Sequence, residues 1–354
     1  MNAAISRLKV SGSISLWRSR MTIPRRHQIS LGHTPYYHCI ARCVRRAFLC
    51  GRDRYTGKSF NHRRQWLVDR VKLQASVFGI GVCAYAIMEN HYHLVLCADR
   101  QQVLGWSEDE VIERWTLLFN GPFLVRKYQQ GAILTKTERH TLAGMVAVWR
   151  RRLYDISWFM RCLNEYIARR ANAEDGCRGR FWEGRFKSQA LLDDGALLSC
   201  MAYVDLNPVR AGLSANLMDS EFTSIQERLR EFSASTDRRH RRWITSWLLP
   251  FSSGPKPREQ FSAICFGFRD YLDLVEQTGR RVRGRKRGHI VGEGGSLLRQ
   301  IGLSHDQWLA LSLDLQSMAL RAVGNLARMR AYAEAHGYKW ITGVGRIREI
   351  YSAG

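Results

Sequence analysis

The chain has 354 residues, of which 45% are hydrophobic, so it is long enough for two domains with buried cores. Lys and Arg outnumber Asp and Glu by 55 to 31, and the formal charge of +24 attracts polyanions through phosphate contacts and counterion release. With 11% aromatic residues, on which bases stack, this composition favours a nucleic-acid partner over a ribosome-associated or membrane-surface protein, and no run approaches the roughly 18 apolar residues of a membrane span.

The cysteines and the N-terminus bear on location. Nine cysteines are an odd number and none form a CxxC pair, which argues against a disulfide framework and a zinc ribbon. We therefore expect a reducing cytoplasm, in association with the nucleoid. The first acidic residue is Asp53, so the N-terminus superficially imitates an organelle transit peptide. We interpret residues 1–20 as a disordered extension, with Met21 as an alternative start.

The elements predicted for residues 21–213 alternate between strands and helices. In chain order they are a strand over 36–44, a helix over 61–78, strands over 82–88 and 91–97 joined by a tight Glu89-Asn90 turn, a region over 98–140 with a helix near 108–120, a helical region over 141–173, a strand over 185–192, and a helix from Asp193 or Asp194 to about Leu206 that Pro208 stops. This order matches a ferredoxin-like α+β fold, with 98–140 as an insertion.

The remaining residues, 214–354, predict a mainly helical C-terminal region. It contains a helix near 223–232, the basic run 238–242, an apolar run over 243–251 and a second basic run over 280–287. Two short helices over 297–301 and 304–311, about a glycine turn at Gly302, would suit a helix-turn-helix among other arrangements. The region is a candidate for accessory DNA binding, and the 280–287 run reads as a linker that touches the DNA backbone without reading its sequence.

His91-Tyr92-His93 is the first candidate for chemistry. On a strand, residues i and i+2 project to one face, so both imidazoles can share a metal ion. The run continues as the apolar strand 94–97. Burying two histidines there costs free energy unless their ring nitrogens have partners. From the pattern alone, a metal site and an ordinary pair of buried histidines remain equally good readings.

Tyr203 and Asn207 form the second candidate. Helical spacing places them one turn apart on one face, so the phenol could be a nucleophile and the amide oxygen a metal ligand. The alternative interpretation assigns them no catalytic role: Tyr203 packs its ring, and Asn207 ends a helix before Pro208.

The segment of residues 177–187 is the third candidate, because it interleaves cations, glycines and aromatic residues. Arginines fork onto phosphates, and rings stack on unpaired bases. We predict DNA contacts from its members Arg178, Arg180, Phe181, Trp182, Arg185 and Lys187. A mobile surface loop is the alternative.

Three motifs carry a family resemblance. Residues 85–96 (YAIMENHYHLVL), 179–188 (GRFWEGRFKS) and 203–212 (YVDLNPVRAG) resemble, in this order, motifs of the REP-associated tyrosine transposases. The opening run from Pro35 to Phe48 also fits longer members. The resemblance covers about residues 21–213, and the C-terminal third resembles an appended region of those longer members.

The resemblance implies a single-tyrosine HUH endonuclease of the ferredoxin-like fold. His91, His93 and Asn207 would bind Mg²⁺ or Mn²⁺, and Tyr203 would be the nucleophile, forming a 5′-phosphotyrosine intermediate during strand cleavage and rejoining. Arg210, in the third motif, would contact DNA. Tyr166 is a weaker contender for the nucleophile, because its neighbours do not match the tyrosine motif. Tyr92, in the middle of the histidine motif, is a second phenol near the metal.

The implied substrate is single-stranded DNA whose palindromic repeats fold into hairpins, as in transposition and recombination. Two alternatives stay open: a DNA-binding protein that recognises repeat hairpins without cutting them, and a protein that binds or cuts RNA. We expect a monomer, with a dimer as the alternative, and no obligate protein partner.

Overall fold

The computed structural model describes residues 28–44, 49–53, 56–234, 247–253, 263–283, 294–315, 321–338 and 344–352. Several predicted features lie outside these ranges. They are the extension of residues 1–20, the alternative start at Met21, residues 45–48 of the opening motif, the basic run 238–242, residues 243–246 of the apolar run, and residues 284–287 of the second basic run.

The described residues form an α+β structure, as predicted. The strands are β1 (Tyr36–Arg42), β2 (Ile80–Ile87), β3 (His91–Ala98), β4 (Lys187–Leu191) and β5 (Ala322–Val323). The helices are α1 (Arg63–Val77), α2 (Arg100–Gly105), α3 (Glu108–Thr116), α4 (Phe123–Gln129), α5 (Lys136–Leu153), α6 (Ile156–Glu174), α7 (Asp194–Asp205), α8 (Asn207–Arg210), α9 (Ser224–Ala234), α10 (Phe268–Arg283), α11 (Gly294–Gln300), α12 (His305–Asp314), α13 (Leu326–Ala335) and α14 (Val344–Ser352). None of these helices is long and apolar enough to cross a membrane.

The strands make one mixed sheet in the order β2-β3-β1-β4-β5. β1 is antiparallel to both β3 and β4, and β2 is antiparallel to β3. β5 is parallel to β4, with Ala322 opposite Ala190. β5 comes from the C-terminal region, for which we predicted helices and no strand. The two parts of the chain therefore share one sheet.

One predicted helix differs from the observed ones because of a local hydrogen bond. The helical region over 141–173 is divided into α5 and α6, since the Asp155 carboxylate accepts a hydrogen bond from the Ser157 amide at 2.7 Å and starts a new helix. Helix α7 ends at Asp205, close to the predicted end at about Leu206. Pro208 lies in the first turn of the short helix α8 that follows, where its missing N–H costs nothing.

Helix α7 is buried along its length, from Gly195 to Asp205. At its start, the Asp193 carboxylate caps the Ala196 amide at 2.8 Å and also accepts from the Asn325 amide at 2.7 Å. At its end, Asp205 accepts hydrogen bonds from the C-terminal region, including one from the Tyr271 hydroxyl at 2.6 Å. The C-terminal region thus holds both ends of this helix.

The two helices predicted around Gly302 are present as α11 and α12. Gly302 has a φ of +68°, which favours glycine, and Ser304 begins α12 with a capping box. However, α12 packs against α7 and buries Trp308 and Leu311. Among the described side chains of α12, only that of the acidic Asp306 is exposed.

Candidate active site

The first part of the site lies on one face of β3. Alternation places the side chains of His91 and His93 on this face and that of Tyr92 on the other. The two imidazole rings are 4.9 Å apart between centroids, and His93 is fully buried. Tyr92 instead donates a hydrogen bond to Asn164 on α6 at 2.7 Å. Tyr166 also lies on α6, and its hydroxyl accepts a hydrogen bond from Arg170 at 2.8 Å.

Both histidines of β3 are held as neutral imidazoles. Burial lowers the pKa of His91 to about 4, with a smaller contribution from Arg42. Burial also holds the pKa of His93 well below its usual value, together with its neighbours His38 and His91. Neutral imidazole is the form that binds a metal ion, so both rings are ready to act as ligands at neutral pH.

A neighbouring amide fixes which nitrogen of His91 is available. Nδ1 of His91 lies 2.7 Å from the Asn90 side-chain oxygen, which can only accept a hydrogen bond. Nδ1 therefore carries the hydrogen, and Nε2 keeps its lone pair.

Helix α7 brings the phenol of Tyr203 against these histidines. The rings of Tyr203 and His93 meet edge to face, 5.7 Å apart between centroids, and Tyr203 is only 2% exposed. One turn on, Nδ2 of Asn207 lies 3.4 Å from Nε2 of His93. The four residues predicted for the site, from β3, α7 and the start of α8, are thus brought together.

The electrostatic setting of Tyr203 has two opposing parts. Burial raises the pKa of the phenol above its usual value, while the charge of Arg210 and hydrogen bonds from Arg210 and Asn207 lower it. The Arg210 guanidinium lies 4.8 Å from the centroid of the Tyr203 ring. Arg210, which we predicted to contact DNA, therefore also touches the candidate nucleophile.

Sequence reasoning missed one residue of this cluster, His38 on β1. Its Nε2 lies 2.9 Å from Nδ1 of His93, and its Nδ1 lies 3.4 Å from the side-chain oxygen of Gln189 on β4. Burial lowers the pKa of His38 to about 4, and hydrogen bonding to Gln189 partly offsets this. The strand was predicted, but the pairing register that brings His38 beside His93 is not readable from β1 alone.

The predicted set of ligands for a divalent cation consists of three side chains. Among the described residues, no group of three or more His, Cys, Asp and Glu side chains is arranged to hold a metal ion. The candidate set therefore depends on Asn207 as the third member beside His91 and His93. An amide oxygen and two neutral imidazoles suit Mg²⁺ or Mn²⁺ and also tolerate Zn²⁺.

The predicted DNA-binding loop is only partly a surface feature. Its cations are exposed: Arg178, Arg180, Arg185 and Lys187. Phe181, which we predicted to stack on bases, is 3% exposed and belongs to the core. Its backbone carbonyl accepts a hydrogen bond from the amide of Val44, just after the end of β1. Trp182 is half-buried and donates a hydrogen bond to the Asn164 carbonyl at 2.8 Å. The loop thus offers cations, with its aromatic rings used for packing.

Comparison with known proteins gives one structural similarity. No family model matches the chain, and no curated protein matches it. Among solved structures, the chain is similar to a REP-associated tyrosine transposase bound to a REP hairpin, with 13% sequence identity and a TM-score of 0.35. The match covers 68% of this chain and 98% of that chain. That structure belongs to the family that the three sequence motifs resemble.

Proposed function

We propose that the chain is a single-stranded DNA endonuclease and strand-transfer enzyme of the transposase type, built on a ferredoxin-like HUH nuclease domain. Its substrate is DNA with palindromic repeats folded as hairpins, and its intermediate is a 5′-phosphotyrosine. The observation that carries this proposal is the convergence of His93, Tyr203 and Asn207. The Tyr203 ring lies against that of His93, and the Asn207 amide is 3.4 Å from Nε2 of His93.

Tyr203 acts as the nucleophile in this proposal. Its hydroxyl oxygen attacks the scissile phosphorus and forms a P–O bond, while the bond from phosphorus to the 3′ oxygen breaks. The phenol loses its proton and the departing 3′ oxygen gains one, so the step consumes neither water nor a nucleotide. A 3′-OH reverses the same step, which rejoins strands and releases Tyr203.

The protein's own charges prepare this step. Arg210 lies against the Tyr203 ring and lowers the pKa of a phenol that burial raises. Its guanidinium is also positioned to approach a phosphate bound beside Tyr203. His91, His93 and Asn207 would hold Mg²⁺ or Mn²⁺. Such a cation, when bound, polarises the phosphate and stabilises the charge that develops on it.

The exposed cations of the loop over residues 177–187 would bind the DNA backbone near the site. Arg178 and Arg180 lie on either side of Gly179, whose φ of +130° lets the backbone turn sharply. The net charge of +24 supports a polyanionic substrate without distinguishing DNA from RNA.

Denaturing gel electrophoresis tests the proposal. The protein is incubated with Mn²⁺ and single strands that carry a palindromic repeat folded as a hairpin, with scrambled strands of equal length for comparison. We expect a cut product and a protein-linked species from the hairpin strand, and neither from Tyr203→Phe. Tyr166→Phe is the matched control and should react like the unmodified protein.

Three other results would replace the proposal or part of it. Hairpin strands that are retarded in native gels but never cut would identify a binding protein without nuclease activity. Equal binding of hairpin and scrambled strands would show that the protein does not recognise the hairpin. Cleavage of RNA in place of DNA would change the substrate class.

A further inference from the structure

A row of three buried polar side chains crosses the sheet and ends at the candidate site. Gln189 on β4 lies directly opposite His38 on β1, and His38 lies opposite Val95 on β3. Because His93 is two residues from Val95, it shares that face of the sheet. The row therefore runs from Gln189 through His38 to His93, with contacts of 3.4 and 2.9 Å.

The donor and acceptor roles along this row follow from its far end. The side-chain oxygen of Gln189 can only accept, so Nδ1 of His38 carries the hydrogen. His38 is buried, which favours a neutral ring whose Nε2 is an acceptor. Nδ1 of His93 therefore donates to His38, and Nε2 of His93 keeps its lone pair on the side of Asn207.

The opposite assignment would disable the site. If Nε2 of His38 donated, Nδ1 of His93 would accept and Nε2 of His93 would carry a hydrogen. That hydrogen would point at the place where a cation has to bind. Burying this row in the core of a sheet also costs folding free energy, since each buried polar atom needs a hydrogen-bond partner. Apolar side chains would pack there without that requirement.

We propose that His38, anchored by Gln189, is a positioning residue that fixes both the orientation and the tautomer of His93, so that Nε2 of His93 faces the cation site. This inference rests on the proposed function, in which His93 is a ligand. It gives His38 and Gln189 a role in the site that none of the three sequence motifs assigns.

The first test reads the tautomer in metal-free protein. Histidine is labelled with ¹⁵N, and long-range ¹H–¹⁵N correlations identify the protonated nitrogen of His93, whose signals are assigned by their loss in His93→Gln. We expect the Nδ1–H form in the unmodified protein and in His38→Gln, whose amide oxygen can still accept. His38→Phe, and Gln189→Leu as a second variant, should shift His93 toward the Nε2–H form.

The second test is the affinity for Mn²⁺ alone, measured by electron paramagnetic resonance of the free ion. Loss of such a partner weakens metal binding by about 10- to 100-fold, so we expect His38→Phe to lose affinity in this range and His38→Gln to recover most of it. Tyr37→Phe is the matched control. It removes a buried hydroxyl from the same strand, bonded to Ser30 on the other face, and should bind Mn²⁺ normally.

The two tests separate this inference from the proposed function. If His93 keeps the Nδ1–H form in both His38→Phe and Gln189→Leu, the positioning role is wrong, whatever the enzyme does. If Mn²⁺ binding is unaltered in folded His38→Phe, the role is wrong as well. If the unmodified protein binds no Mn²⁺ while the tautomer responds as expected, the positioning stands and the metal-dependent function fails.

Discussion

At the scale of single residues, the phenol of Tyr203 is governed by burial and by Arg210. Burial raises its pKa, and the nearby guanidinium lowers it. Because a deprotonated phenol is the better nucleophile, the rate of DNA cleavage should rise with pH on the alkaline side of neutrality. In the proposed reaction, Arg210 would increase the phenolate fraction near neutral pH.

Replacing Arg210 tests this directly. Arg210→Ala should raise the pKa of Tyr203 and slow single-turnover cleavage at pH 8, by about tenfold for each unit by which the pKa rises. Because the pKa of Tyr203 lies above its usual value of 10, the deficit should stay constant up to that pH and shrink only at higher pH. Arg210→Lys keeps the charge and should lie between the two. An Arg210→Ala variant that cleaves at the same rate as the unmodified protein at pH 8 would contradict this role.

Asp205 is a second residue whose charge state matters, here for stability. It is fully buried, and burial raises its pKa from 3.8 to about 6, although Ser224, Tyr271 and Arg228 act in the other direction. Because the folded-state pKa is the higher one, the protonated carboxyl stabilises the fold. This contribution is fully present below pH 3.8 and is lost as the pH rises through 6.

Asp205→Asn removes this titration while keeping most of the hydrogen bonds. The free energy of unfolding of Asp205→Asn, relative to the unmodified protein, should therefore rise by about 2 kcal/mol between pH 4 and pH 7. Denaturant titrations at the two pH values measure it. The exposed Asp273 on α10 provides the control substitution, Asp273→Asn. A constant difference for Asp205→Asn across this range would rule out a raised pKa.

How far single residues could be predicted depended on whether a motif contained them. His91, His93, Tyr203 and Asn207 were all predicted, and the structure brings them together. His38 and Gln189 were not, because their role depends on the register between three strands that are far apart in sequence. Phe181 was misjudged, since an aromatic residue between arginines looks the same whether its ring is exposed or packed.

At the scale of elements, the position of α7 depends on a close approach to the segment between α11 and α12. A Cβ atom at Gly195 would lie 2.9 Å from the backbone carbonyl oxygen of Ile301 and 3.1 Å from Leu303. A backbone atom cannot give way as a flexible side chain can. Glycine at this position is therefore what lets the C-terminal region cover the helix that carries Tyr203.

Two helical glycines make a matched test of this packing. Gly195→Ala should destabilise the fold by about 1–3 kcal/mol through overpacking. Gly144 on α5 is exposed and a Cβ there would meet nothing within 4 Å, so Gly144→Ala should stabilise by roughly 0.5–1 kcal/mol. Thermal unfolding of both variants provides the comparison. Equal melting temperatures for the two would mean that α7 is not held as described.

The order of elements was largely predictable, and their ends were less so. Hydrophobic periodicity indicated β1 to β4 and α7 with errors of a few residues. The division between α5 and α6 was missed, although Asp155 is a typical helix-capping residue, because apolar spacing continues across it. β5 could not be predicted, since a two-residue strand has no periodicity and forms only by pairing with β4.

At the scale of the whole molecule, the C-terminal region is joined to the rest through a shared sheet and through both ends of α7. We expected an appended region with a possible role in DNA binding. Its described helices pack against α7, which carries Tyr203, and the possible role in DNA binding stays a prediction. Its charge still contributes to the +24 of the chain, which should dominate affinity for DNA.

The salt dependence of DNA binding tests the electrostatic part of this picture. The logarithm of the affinity should fall linearly with the logarithm of the salt concentration, with a slope of about −0.7 for each phosphate that a single strand releases. The double variant Arg178→Ala/Arg180→Ala should reduce the slope by about 1 to 2 if these side chains contact phosphates. Fluorescence anisotropy over a salt series measures the slope. The same slope in the unmodified protein and the double variant would show that these arginines do not contact DNA phosphates.

The covalent attachment site is the central claim of the account, and mass spectrometry of the protein–DNA adduct reads it directly. After reaction with hairpin DNA and Mn²⁺, nuclease digestion leaves a nucleotide remnant on the reacting residue, and trypsin releases the peptide of residues 188–210, whose single tyrosine is Tyr203. We predict the remnant on this peptide, attached to Tyr203 through a 5′ phosphate. A remnant on the peptide of residues 162–169, which carries Tyr166, or on Tyr92, would contradict the account.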